Sequence, residues 1–231
     1  MVFLQLYESI YQSSLIERTM SLKERNQLIT RLKHEGYIKT KAVEHAFRLI
    51  PREVFIPDSI RHRAYVDTPL EIGEGQTISA PHMVAIMCEA LDVKNGQTIL
   101  EIGTGSGYHA AIVSKLVGDS GHVYSIERFS SLAEQAKKRL KKLKLENVTV
   151  LIGDGSLGDI EHAPFDRIYV TAASPDVPPP LLEQLKDNGK LLIPNGEYFC
   201  TLELFEKNGL KITRTDHGGC VFVPLVGKYG F

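Results

Sequence analysis

Tryptophan is absent, cysteine occurs three times in 231 residues, and the 27 basic and 28 acidic side chains leave a formal net charge of −1. Each scarcity excludes something. A balanced charge gives no global field for gathering phosphate backbones, so nucleic acid is not an expected partner. Cys88, Cys200 and Cys220 are odd in number and widely spaced. They suggest neither a disulfide framework nor a zinc site, and a reducing cytoplasm suits them best. No apolar run approaches the ~18 residues needed to span a bilayer, and Met1 to Ile16 lack a basic n-region and a small-residue cleavage site. Neither a membrane nor a secretory route is expected. The expectation is a monomer without a metal.

The residues that are present describe an ordinary folded chain, 43% hydrophobic and 24% charged. Before Thr68 the pattern is helical, with Leu22, Leu28, Ile29 and Leu32 on one stripe and Val43, Phe47 and Leu49 on another before Pro51. Residues 1–75 therefore read as a helical cap and entry loop, and 76–231 as the main domain in a single compact unit. Met1 to Arg18 form an extension whose simplest reading is a helix docked on the cap. Asp67 to Ala80 is rich in breakers and reads as an ordered loop.

From Thr98 the chain alternates strand and helix. Strands are expected at Thr98–Ile102, His122–Ile126, Val148–Ile152, Arg167–Val170 and Lys190–Ile193, and helices from about Tyr108, near Ser131–Leu143 and near Pro180–Leu185. Such alternation predicts an α/β fold with a mostly parallel sheet covered on both faces. The basic run Lys137 to Lys144, broken by Leu140 and Leu143, reads as a solvated helix face. Thr201–Glu206 and Leu210–Thr215, separated by Lys207-Asn208-Gly209, predict an antiparallel edge hairpin.

Gly103, Gly105 and Gly107 stand where the first of these strands ends, where backbone can approach a ligand that a Cβ would exclude. Glu127 ends the next strand, placed to accept from both ribose hydroxyls of a nucleoside. The loop is G-x-G-x-G, with Tyr108 where a dinucleotide fingerprint has its third glycine, so NAD fits poorly and S-adenosylmethionine, which has no pyrophosphate, fits better. Glu101 and Asp154-Gly155 add polar groups along the same edge. Asp154 could accept from the adenine amino group, or its segment could be a simple turn. Thr171 to Asp176 lies on the crevice side and is a candidate peptide-binding edge.

The string Gly73-Glu74-Gly75-Gln76-Thr77-Ile78-Ser79-Ala80-Pro81-His82-Met83 closely resembles the protein L-isoaspartate (D-aspartate) O-methyltransferases. So do Glu101 to His109, Val123 to Arg128, Gly153-Asp154-Gly155, Thr171-Ala172-Ala173 and Phe222 to Gly227. This resemblance implies a Rossmann-like class I S-adenosylmethionine-dependent methyltransferase sheet with an N-terminal helical cap. It implies cofactor contacts from Glu101, Gly103, Gly105, Glu127, Asp154 and Gly155, with Thr77, Ile78 and Ser79 beside the cofactor and Ser79 in the active site. Thr171, Ala172 and Ala173, with Ser79, would face the substrate. Cys220-Val221 stands where many members have an arginine.

The implied reaction is methyl transfer from S-adenosylmethionine to the free carboxylate of an isoaspartyl residue, leaving S-adenosylhomocysteine and starting repair through a succinimide. Isoaspartyl peptides and proteins are the implied partners. A carboxylate is already ionised near neutral pH, so positioning should dominate over acid-base chemistry. Ser79 would orient that carboxylate, and no G-x-S-x-G elbow marks any serine as a nucleophile. His82 and His109 flank the key loops and read as packing or hydrogen-bonding residues. Two other readings stay open: a methyltransferase of the same fold acting on a small molecule or RNA, and a nucleotide-binding module or NAD enzyme.

Overall fold

In a computed structural model, residues 19–197 and 199–231 are described. The expected helix at Met1 to Arg18 lies outside them. Helix α1 (19–34) turns Leu28, Ile29 and Leu32 inward, while Leu22 faces out. Helix α2 (Lys41–Leu49) starts at Thr40, whose side chain accepts from Val43 N, and it buries Val43, Ala46 and Phe47. Leu49, at its end, is exposed.

The main sheet has seven strands: β3 (Thr98–Ile102), β4 (His122–Glu127), β5 (Val148–Ile152), β6 (Phe165–Val170), β7 (Leu185–Asn195), β8 (Cys200–Asn208) and β9 (Lys211–Cys220). Their order is β5-β4-β3-β6-β7-β8-β9. All pairs from β5 to β7 are parallel, and β8 and β9 add the antiparallel edge. Helix α4 (Tyr108–Val117) follows β3, α5 (Ser130–Lys142) follows β4, and the short α6 (Pro179–Glu183) precedes β7. Strand order reverses between β4-β3 and β6, which opens a crevice at the carboxyl ends of these strands. Leu100, Ile102, Ile168 and Val170 pack one face, and Ile99, Val123 and Tyr169 join the larger cluster with α3 (Pro81–Leu91), α4 and the N-terminal helices. The basic stretch of α5 behaves as a solvated face, with Leu140 buried and Lys138 and Lys141 exposed.

Two local expectations are corrected. The loop expected over Asp67 to Ala80 contains a hairpin, β1 (Leu70–Gly73) and β2 (Gln76–Ile78). Leu70 and Ile72 point inward and Glu71 and Gly73 outward, a short alternation hidden by the glycines around it. Glu74 and Gly75 take φ of 54° and 67°, as a two-residue turn with both central φ positive requires. In the tail the reversal falls at Gly209-Leu210, not at Lys207-Asn208-Gly209, because Asn208 pairs with Lys211 and both strands run longer than expected.

Candidate active site

The loop after β3 is held from three sides. Gly103 N and Thr104 N donate to Ile126 O, and Gly107 N donates back to Thr104 O. Thr171 Oγ1, at the end of β6, donates to Gly103 O at 2.7 Å. A Cβ on Gly103, whose φ is 94°, would collide with that hydroxyl, so the close approach depends on glycine. Glu127 completes the hold: its carboxylate accepts from Gly105 N at 2.8 Å and from Phe129 N at 3.0 Å. The carboxylate is thus fixed in place with lone pairs still free.

Above this loop lies a cavity of about 760 Å³, including space open to solvent. Gly103, Gly105, Glu127 and Gly155 line one side, and Thr77, Ile78 and Ser79 from β2 and its exit line another. Thr171 and Ala172 also reach it, whereas Ala173 is buried behind and bridges to Pro224. The fit to a nucleoside is local: Gly103, Gly105, Gly153 and Gly155 present backbone to the cavity as a floor on which a ring could lie, and Gly155 packs so closely on Ile102 that a Cβ there would collide with it.

Glu101 and Asp154, two of the residues expected at the cofactor, do not line the cavity. Glu101 is fully buried below the loop, where Ser125 Oγ donates to its Oε2 and Thr104 Oγ1 lies 2.5 Å from that Ser125 oxygen. Burial pushes the Glu101 carboxyl up to about 8, only partly opposed by hydrogen bonding from Ser125 and Tyr169. The Tyr169 hydroxyl is buried against the same carboxyl, and His109 Nδ1 is buried without a hydrogen-bond partner among the described residues. The His109 ring lies 4.5 Å from that of Tyr169 at a tilt of 42°, and burial lowers the imidazole to about 3, so it is neutral in the working range. A neutral imidazole in that position cannot act as a charged ligand.

Asp154 caps a single turn, accepting from Ser156 N and Ser156 Oγ, and it takes Lys228 N at 2.8 Å. Burial acts to raise its pKa, but the Lys228 and Ser156 hydrogen bonds outweigh it and leave the carboxyl below its ordinary value. Asp154 therefore anchors the C-terminal tail. Asp154→Ala should lower stability by about 1–2 kcal/mol, through loss of a cap and a tail tether, which urea unfolding would read.

The tail itself was absent from the sequence-derived cofactor site. Val223 to Val226 wall the cavity, tied to the segment that follows β6 by Ala173 N to Val223 O and Leu225 N to Ala173 O. Nothing in its residue types announces a ligand contact, since only its path over the sheet brings it there. Tyr108, which stands where a dinucleotide fingerprint has its third glycine, turns toward the N-terminal helices. There its ring meets Phe47 and Phe55 edge-on, with the buried Arg52 guanidinium 5.0 Å from its centroid.

A second groove of about 770 Å³, also partly open, runs beside the first. Its walls are Pro69, Ala80, His82 and Met83 on one side and Gly219 to Phe222 on the other. His82 is held by Asp67, whose Oδ1 accepts from His82 N and lies 3.0 Å from His82 Nδ1. Thr77, Ser79, Thr171 and Val223 line both cavities. The half-buried Ser79 hydroxyl thus sits where two ligands would meet.

Residues 23–230 match the family model described as Protein-L-isoaspartate(D-aspartate) O-methyltransferase. The chain is 52% identical over 212 residues to the protein-L-isoaspartate O-methyltransferase of Methanococcus aeolicus, covering 92% of this chain and 98% of that protein. To the Methanocella arvoryzae protein of the same name it is 57% identical over 182 residues, 79% of this chain and 97% of that one. A crystal structure of a putative protein-L-isoaspartate O-methyltransferase from Plasmodium falciparum in complex with S-adenosyl-L-homocysteine superposes with a TM-score of 0.78 at 28% identity, covering 87% of this chain and 97% of that one.

Proposed function

The chain belongs to the protein-L-isoaspartate (D-aspartate) O-methyltransferase family, and from that premise we propose that it methylates the free carboxylate of L-isoaspartyl residues, and of D-aspartyl residues, in damaged peptides and proteins of the cytoplasm. S-adenosylmethionine, when bound, supplies a methyl group already activated by its sulfonium. The observation that carries this reading is the meeting of two cavities at Thr77, Ser79 and Thr171. One cavity has the glycine floor and fixed carboxylate that suit a nucleoside, and the other is an open groove that suits an extended peptide.

The protein's task is then placement. Glu127 holds the ribose hydroxyls, the 103–105 backbone allows close approach, and Thr77 to Ser79 close the side toward the acceptor. Ser79 would donate a hydrogen bond to the substrate carboxylate and so present one of its oxygens to the methyl group. Excluding water matters as much, since a hydrated carboxylate is a poorer nucleophile. No residue need take or give a proton, which agrees with His109 being neutral and buried.

The direct test is transfer of labelled methyl to paired peptides that differ only in isoaspartate or aspartate at one position. Label should enter the isoaspartyl peptide alone; bound cofactor with neither peptide labelled would send the search to another acceptor. Ser79→Ala should lower turnover on that peptide by about 10- to 100-fold, the worth of one hydrogen bond to a charged group, with cofactor affinity little changed. Turnover equal to that of the unaltered chain would remove Ser79 from the reaction.

A further inference from the structure

β8 begins at Cys200 and β9 ends at Cys220, and the antiparallel register sets these two residues directly opposite each other. Directly opposed residues in such a pair share one face of the sheet, with Cα atoms about 4.5–5.5 Å apart, inside the roughly 4.4–6.8 Å that a disulfide spans. Both are free thiols. Cys200 is buried, its Sγ 3.4 Å from Gly196 O, and Cys220 is half-buried on the wall of the acceptor groove. Burial, and then the neighbouring Cys200, push the Cys220 thiol up to about 12. Methyl transfer uses neither.

We propose that Cys200 and Cys220 form a reversible oxidation site, at which a low-molecular-weight disulfide closes an intramolecular disulfide between β8 and β9. Cys220, the more exposed, loses its proton to solvent and attacks one sulfur of the reagent. The reagent's S–S bond breaks, a mixed disulfide forms on Cys220, and one reagent thiolate leaves and takes up a proton. Deprotonated Cys200 then attacks the Cys220 sulfur, expelling the second reagent thiolate, which is protonated in turn. Two protein thiols are oxidised to one disulfide and one reagent disulfide is reduced to two thiols.

The position gives the bond a structural consequence. Residues 219–222 form one wall of the acceptor groove, and the chain just beyond them, Val223 to Val226, walls the cofactor cavity. A Cys200–Cys220 bond staples the start of that tail to β8 without touching Ser79. Cys88 serves as an internal control, being fully buried with its Sγ 3.5 Å from His109 Nε2 and far in sequence from the pair.

The test is incubation of the full chain with glutathione disulfide at mildly alkaline pH, because burial holds both thiols protonated near neutrality. Alkylation in denaturant and peptide mapping without reduction follow. The expected result is loss of two of the three thiols, one peptide pair joined through Cys200 and Cys220, Cys88 alkylated, and no retained glutathione. A Cys200→Ser chain, lacking the resolving thiol, should instead keep glutathione on Cys220 until dithiothreitol removes it. A stable glutathione adduct on Cys220 of the unaltered chain, a Cys220 link between two copies, or both thiols recovered free would each overturn the proposal.

Discussion

Glu127→Ala is expected to weaken S-adenosylmethionine binding by about 100- to 1,000-fold, as loss of two hydrogen bonds to a charged acceptor would give. The argument starts from two backbone amides. Gly105 N and Phe129 N both donate to the Glu127 carboxylate, so the side chain is positioned before any ligand arrives. A ribose diol would then meet a fixed acceptor and lose little freedom on binding. Alanine removes the acceptor and also frees the Gly105 amide, loosening a loop whose φ of 52° at that residue already depends on glycine. Glu127→Gln separates the two effects, since its amide oxygen can still accept from one backbone N–H while the charge is gone. Calorimetry should place Glu127→Gln between the unaltered chain and Glu127→Ala. Unchanged affinity in Glu127→Ala would move the nucleoside elsewhere along the sheet edge.

The sheet was legible in the sequence because its strands are short apolar runs ended by glycine or an acid, and the βα rhythm repeats. Strand ends were less so. Nothing in Leu185 to Gly189 alternates clearly, yet β7 starts at Leu185 because that residue pairs with Phe165 across a register shift. The β1–β2 hairpin was hidden for a related reason: only Leu70, Ile72 and Ile78 carry its apolar face, and a Glu-Gly turn is a weaker signal than Asn-Gly. In the site, the position of the glycines and of Glu127 beside the cavity could be read because they stand at strand ends. Depth could not. Glu101 and Asp154 stand at equivalent strand ends, yet one is sealed under the loop and the other is taken by the tail, and both outcomes depend on chain segments distant in sequence.

Glu101→Gln is expected to stabilise the fold at pH 8 by several kcal/mol while leaving it nearly unchanged at pH 4.5. The sign follows from proton counting. Burial holds the folded carboxyl at about 8, above its ordinary 4.5. Below pH 4.5 the carboxyl is protonated in both states, and folding bears no ionisation cost. Between 4.5 and 8 the unfolded chain releases the proton and the folded chain keeps it. Stability then falls by about 1.4 kcal/mol per pH unit, reaching a loss of about 5 kcal/mol at most, and levels off above pH 8. Glutamine keeps the shape and an acceptor for Ser125 Oγ, and its amide can keep the contact with the Tyr169 hydroxyl. Urea unfolding at several pH values would show a slope in the unaltered chain and none from this group in the variant; parallel curves would mean that the folded carboxyl titrates at its ordinary pH. A buried acid of this cost directly beneath a ligand loop is where stability is commonly given up for function. If Glu101 serves the cofactor, the stabilised variant will bind S-adenosylmethionine more weakly, whereas equal affinity would assign the carboxyl to the Ser125–Thr104 cluster that supports the loop.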